Sequence, residues 1–325
     1  MAFPAQFTVT GPATVDNVLA TTLANWVNSG KFFDAIFTGR PLTKILLSKG
    51  KIEFLDGGES IRVNHMYAEN GTVACIDPYG TISLTPQEVF TSSQASWRWL
   101  TGSVSVSDHD RLVNTTAMQI QNLAKSKVEN LQESMKAKLA RMTFATATAT
   151  NEYTTLMELV DSAGTVQGIS RSANTWFQST ETASGSFATQ GLNDLRTNYN
   201  SISKSGSMPP TLGVTTQTVH EYIENTYLAQ GRFDLLGGKS AADLGIDSLK
   251  FKGKDVIFDE NCPIGNFLWL NLDVLGYVMS TAYNFKLNQF IRPANQIVES
   301  SVMENAGNMV IRNPARCGKL TGITA

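Results

Sequence analysis

From Ile52 to Val106 the apolar residues tend to fall on every second position. Ile52 and Phe54, Ile61 and Val63, Trp97 and Trp99, and Val104 and Val106 each alternate with polar or charged residues. That period predicts strands. Asp56-Gly57-Gly58 marks a turn, and Asp77-Pro78 and Tyr79-Gly80 mark further turns. The segment is expected to be β-rich throughout, with "WRWLTGSVSVS" as its returning strand. From Leu112 the spacing becomes helical. Leu112, Thr116, Ile120, Leu123, Ala124, Val128, Leu131, Met135, Leu139 and Met142 hold one slowly drifting face. Ser107 is placed to cap this helix, with Asp110 at capping-box spacing. Asp108 and Asp110 also set negative charge at the positive end of the dipole. No proline or glycine interrupts Ser107 to Thr143, which predicts a helix of roughly 50 Å at 1.5 Å per residue. Lys125 and Glu129 form an i,i+4 pair on its solvated side.

The flanking pattern is less regular. Met1 to Ala13 reads as extended, Val15 to Asn28 as a short helix, and "KFFDAIFTGRPLTKILL" as short apolar runs broken at Gly39 to Pro41. A second compact unit begins near Leu156. Two helices follow, separated by Gly206 to Pro210. Thr215 or Thr216 can cap the second helix, whose inward residues include Val219, Tyr222, Ile223 and Tyr227. Short strands are expected around Phe251, Val256 to Phe258 and Phe267 to Leu270. "NMVIRNPARCGKLTGI" reads as a last strand with a loop, returning to the first unit. The β-rich excursion lacks large apolar residues at its middle and is poorly able to bury itself alone. It lies against another subunit or forms a small subdomain on its own chain; the pattern leaves both open.

Composition narrows the function. The formal net charge is -2 and only 17% of residues are charged, which gives no support to a nucleic-acid-wrapping surface. The longest apolar stretch, "IGNFLWLNLDVLGYVM", is too short for a membrane helix and is broken by Asn266, Asn271 and Asp273. The first residues lack the basic start and apolar core of a signal peptide. Cys75, Cys262 and Cys317 form no close pair, so metal-ligand spacing is absent and a reducing compartment fits. Abundant Thr, Ser, Asn and Gly suit broad polar interfaces.

Candidate chemistry is thin. "DHD" at Asp108, His109 and Asp110 looks like a ligand cluster, but adjacent helical residues diverge and no second cluster completes it. His65 and His220 have no nucleophile or carboxylate at informative spacing, and Cys317 has no convincing base partner. "LLGGKSAADLG" and "GTVQGISR" lack full phosphate-loop or dinucleotide spacing. No catalytic, cofactor-binding or metal site is assigned. An interaction or structural protein ranks above an enzyme.

Four strings, in order, then carry a resemblance: "SWRWLTGSVSVSDHDRLVNT", "LMELVDSAGTVQGISRSANTWF" with Gly168 to Arg171 and Trp176 at its centre, "LKFKGKDVIFDENCPIGNFLWLN", and "GNMVIRNPARCGKLTGI". Over almost its whole length the chain resembles tailed-bacteriophage major capsid proteins of the Hong Kong 97 (HK97-like) fold. The resemblance implies an α+β fold with an N-terminal arm at 1–50 and an extended loop with its returning strand at 51–106. A peripheral domain with a spine helix would span 107–155, an axial domain 156–250, and a return to the peripheral domain 251–325. It implies self-assembly into hexamers and pentamers of an icosahedral head around double-stranded DNA, in the cytoplasm of a bacterial host. Implied partners are a separate scaffolding protein, a portal protein at one vertex, a possible decoration protein, and DNA touched non-specifically. Arg111, Lys125 and Lys127 are candidates for that DNA contact. Some relatives crosslink covalently through a loop lysine. This chain has none between Glu53 and Trp97, and Lys51 lies at the loop base, so a non-covalent shell is expected. No membrane and no cofactor is implied. An encapsulin-type compartment shell and a soluble enzyme with an unrecognised site are the alternatives; a tail-tube protein is opposed by the long helix.

Overall fold

The computed structural model describes residues 40–48, 51–113, 117–204, 208–229 and 249–325. The expected helix at Val15 to Asn28 lies outside them. Two compact units are distinguished: one contains 101–135 and 285–304, the other 40–100, 136–284 and 305–325.

In the larger unit α1 (Pro41–Ser48) starts with proline at its first position, where a missing N–H costs nothing. Leu42 and Leu46 are fully buried, and the Leu42 N–H donates to the Asp259 carboxylate at 3.4 Å. β1 (Ile52–Leu55) then pairs in parallel with β12 (Leu275–Ser280). β12 pairs antiparallel with the end of β14 (Val298–Ile311), from Gly307 to Ile311, and β13 (Lys286–Leu287) pairs with it at Met303 and Glu304. β2 (Ile61–Met66) pairs instead with β3 (Phe90–Ala95) as a separate two-stranded ribbon. The turn expected at Asp56-Gly57-Gly58 is present, but the strands on its two sides do not pair with each other. Gly57 and Gly58 have φ of 144° and 119°, and their turn carries the chain from one sheet to another. Residues 67–89 contain no strand, so the β-rich expectation holds only at the ribbon's base. The expected returning strand is β4 (Arg98–Ser107), preceded by the separate β3, and β4 pairs with β14.

A six-stranded mixed sheet forms the core of this unit. Its order is β7 (Thr180–Ala183), β15 (Gly318–Thr321), β11 (Phe267–Leu270), β8 (Leu212–Thr215), β10 (Lys254–Phe258) and β9 (Leu249–Phe251). All four residues of β11, "FLWL", are buried, as a central strand covered on both faces requires. Each such side chain contributes about 1.5–3 kcal/mol. Trp269 and Phe267 pack with Tyr199, Ile202, Val219 and Ile223 from the two helices Leu192–Lys204 and Gln217–Ala229. Thr216 caps the second of these, accepting from the Val219 N–H at 3.5 Å. β8, between these helices, is a strand that the helix–loop–helix reading missed. Its four residues are too few to show a period. The expected division at 250/251 does not separate sheets, because β9, β10, β11 and β15 all join the sheet that holds β8. Of the tail, Asn308–Ile311 stay in β14 beside β12, and β15 joins this six-stranded sheet.

The long helix is described in two stretches, Asp108–Val113 and Ala117–Phe144. The second has 28 residues, about 42 Å at 1.5 Å per residue. Met135, Leu139 and Met142 are buried, whereas Leu123, Val128 and Leu131 are half-buried and Leu112 is exposed. Among the described residues of the stripe, those fully covered by this chain lie toward its C-terminal end. Leu131 packs over Gly102, where a Cβ would lie 2.5 Å from its Cδ1.

A docked ribbon with an exposed tip

The start of the long helix resolves the "DHD" cluster. Ser107 Oγ accepts from the Asp110 N–H at 3.1 Å. Burial pushes the Asp110 carboxyl up, but Lys127 at 3.1 Å and the backbone and hydroxyl of Ser107 outweigh it and hold it below its ordinary value. The capping box closes with Asp in place of Glu. Asp108 pairs with Arg292 at 2.7 Å, and His109 is exposed. The three side chains do not converge. Among the described residues no group of three His, Cys, Asp or Glu is placed to hold a metal, and no helix is long and apolar enough to cross a membrane.

The other candidates are also engaged in the fold. His220 is buried 3.2 Å from Glu224 and edge-on to Phe258. Cys262 and Cys317 are buried thiols pushed up to about 12 by desolvation, so neither is a nucleophile. Cys75 is exposed. Lys51 is tied to Asp273 at 2.7 Å. Lys127 is spent on Asp110 and the Ser105 carbonyl, while Lys125 is exposed beside Glu129 at 3.9 Å. Of Arg111 only the helical backbone is described, and "LLGGKSAADLG" lies outside the described residues.

What stands out is the ribbon. At its base Ile61 and Ala95 enter an apolar cluster with Val278 and Val310, flanked by Val63 and Trp97. The Gln94 N–H donates to the Gln167 carbonyl at 2.8 Å, and the Trp97 indole donates to the Gly58 carbonyl at 2.9 Å. Gln167 and Gly168 turn between the two-residue strands β5 (Thr165–Val166) and β6 (Ile169–Ser170), with φ of 50° and 77°. Oriented by its hydrogen-bond partners, the Gln167 amide donates to the Ile311 carbonyl and accepts from the Ile311 N–H, both at 2.9 Å, as a strand would. Tyr67 lies 5.8 Å from the ring of Trp176, and its hydroxyl donates to the Glu88 carbonyl at 2.8 Å.

Arg171 holds this dock rigid. It is 1% exposed, and its guanidinium donates to the carbonyls of Leu159 at 2.6 Å, Glu158 at 2.8 Å, Ala163 at 3.0 Å and Phe177 at 3.3 Å. Burial lowers its pKa against the opposing charges of Asp161 and Glu158. One planar fork thus ties α2 (Leu156–Leu159) to the turn bearing Trp176. Lys319, also buried, joins Asp161 at 3.1 Å and Glu181 at 3.3 Å. The string "GISR" with Trp176 was singled out by resemblance. Its physical roles, and those of Gln167 and Lys319, left no periodic signal.

Beyond the base the ribbon is bare. Val73, Ile76, Tyr79, Ile82 and Leu84 are exposed, Leu84 to 90% and Tyr79 fully. Residues 67–89 carry Glu69, Asp77 and Glu88 and no lysine or arginine. So many exposed apolar side chains along one projecting segment mark an interaction surface.

No protein-family model and no curated sequence matches the chain. Solved structures do match. The capsid asymmetric unit of cyanophage A-1(L) aligns over 95% of this chain and 99% of its own, with 14% identity and a TM-score of 0.69. This chain has the HK97-like capsid fold. The capsid of a native GTA particle aligns over 98% and 100%, with 14% identity and a TM-score of 0.61. The holo-SrpI encapsulin complex of Synechococcus elongatus aligns over 96% of each chain, with 14% identity and a TM-score of 0.57. The fold is thus shared by a cyanophage capsid, the capsid of a GTA particle and an encapsulin.

Proposed function

We propose that this chain is the major capsid protein of a tailed phage, assembling into hexamers and pentamers of an icosahedral head around double-stranded DNA. The observation that carries the reading is the ribbon. It is anchored at its base on its own chain and leaves the apolar, acidic tip of 67–89 uncovered. A surface of that kind marks a site that a partner covers, and the partner proposed is a neighbouring copy. The fold shared with the cyanophage capsid supports the assignment. Residues 1–50 would act as an arm and the sheet that holds β11 as the core of the axial domain. A scaffolding protein, a portal and any decoration protein would be further partners, and the virion the place of action. Lys51 is held by Asp273 and the tip has no lysine, so cohesion would be non-covalent.

The encapsulin relationship favours a second reading, a compartment shell that encloses protein. Assembly of the purified chain, followed by analysis of what native particles enclose, separates the two. DNA inside closed shells supports the phage head; enclosed enzyme supports the compartment; a chain that stays monomeric with its scaffold supplied refutes both.

A further inference from the structure

The inward row of β2 is Ile61, Val63 and His65, facing Ala95, Ser93 and Thr91 of β3. The first two rungs are what a buried strand face requires. The third is a histidine only 7% exposed, with the rings of Trp176 and Phe177 at 5.7 and 5.3 Å. Beyond it the side chains of β2 and the tip are mostly exposed. His65 is the outermost buried rung of β2, between ribbon and body.

Its hydrogen bonds run in one direction. Because the Gln167 amide pairs with the Ile311 backbone, its NH2 group faces Ser93 Oγ at 3.3 Å. The Ser93 hydroxyl then gives its proton to His65 Nε2 at 2.8 Å, and the ring donates to the Arg312 backbone. The neutral imidazole satisfies every member of this chain. A proton on Nε2 places a second donor against Ser93, whose own hydrogen loses its acceptor. The Gln167 oxygen becomes an acceptor for it only if the amide turns over, which breaks both bonds to Ile311.

Among the described residues no charge near the ring compensates. β3 offers the neutral Ser93, the turn Thr175–Phe177 offers two aromatic rings, and the β5–β6 turn offers an amide. Arg312 offers its backbone while its guanidinium pairs with Glu53. Arg171 stays on its four carbonyls. Burial lowers the pKa of the ring, with the Arg312 bond opposing.

We propose that His65 is a proton-operated latch, whose protonation releases the ribbon base from the body while the six-stranded sheet stays folded. The latch acts within one chain and does not rest on the shell reading. A histidine that is free at an ordinary 6.5 and neutral when docked weakens docking by up to about 30-fold between pH 7.5 and 5.0. The test is hydrogen exchange on the full chain, corrected for intrinsic rates, comparing Ile61–Met66 and Phe90–Ala95 with Phe267–Leu270. Wild type is expected to lose protection selectively in the ribbon strands, beginning near pH 6.5. His65→Leu and His65→Gln should hold the same ribbon protection at both pH values. Ribbon protection that tracks the core in wild type overturns the latch, as does equal pH-dependent loss in either variant. Should both variants be undocked already at pH 7.5, the wild-type onset decides: a loss beginning only below about pH 5, the carboxylate range, overturns it.

Discussion

Replacing Arg171 is the sharpest test of how the dock is held. Arg171→Ala removes donors from four carbonyls, those of Glu158, Leu159, Ala163 and Phe177. Each buried acceptor left without a donor costs about 1–3 kcal/mol, and water entering the vacated space recovers part of that. A net loss of about 3–5 kcal/mol is therefore expected, in the range seen when a buried charged group loses its partners. For a unit of this size that lowers Tm by roughly 6–20 °C. Arg171→Lys keeps the charge but gathers its donors on one atom, which cannot reach four carbonyls; it should fall between wild type and Arg171→Ala. Urea unfolding followed by tryptophan fluorescence gives the free energies, and near-ultraviolet circular dichroism reports the surroundings of Trp176. A loss below about 1 kcal/mol in Arg171→Ala would refute the clamp.

Replacing Tyr67 to Val89 with a short glycine linker should leave the thermal transition of the body within a few degrees of wild type while shell yield falls sharply. Normal shells would show that the tip does not bridge subunits. Burial raises the Asp161 carboxyl, but the Ala163 and Ser162 backbone and Lys319 outweigh it and leave it depressed. Its contribution is thus present above its unfolded value of 3.8 and lost as pH falls below that. The stability gap between wild type and Asp161→Asn should close below that value, and a gap that widened in acid would reverse the sign. Leu139→Asp, at a 1% exposed position, should abolish folding, whereas Leu123→Asp on the half-buried part of the helix should cost markedly less in the isolated chain. Equal losses in soluble expression would contradict that gradient. A maleimide should label one thiol, Cys75, in the native chain and three after denaturation; fast native labelling of Cys317 would contradict its burial.

Much of the architecture was legible in spacing. The Ser107 cap, the long helix, the strands at Val256 and Phe267 and the break before Pro210 follow from local chemistry that tertiary structure did not override. Strand partners were not legible. Asp56-Gly57-Gly58 looks the same whether its flanking strands pair together or join different sheets, because a turn fixes a bend and not a partner. The helical stripe misled at Leu112, Leu123 and Leu131 for a related reason: periodicity marks which face is apolar, not whether the same chain covers it. Gln167, Arg171 and Lys319 act through contacts far apart in sequence and on backbone atoms, which no side-chain pattern encodes. The exposed tip was half legible. Its poor capacity to bury itself left two placements open, and the structure sets the base on its own chain and leaves the end bare.

The measurement that bears most directly on the shell assignment is electron microscopy of particles assembled from this chain, with particle mass measured alongside. Closed icosahedral shells built from many copies are expected, with the tip of 67–89 protected in the shell and accessible in the free subunit. A protein that remains monomeric when its scaffold is supplied, its tip equally accessible throughout, would contradict it.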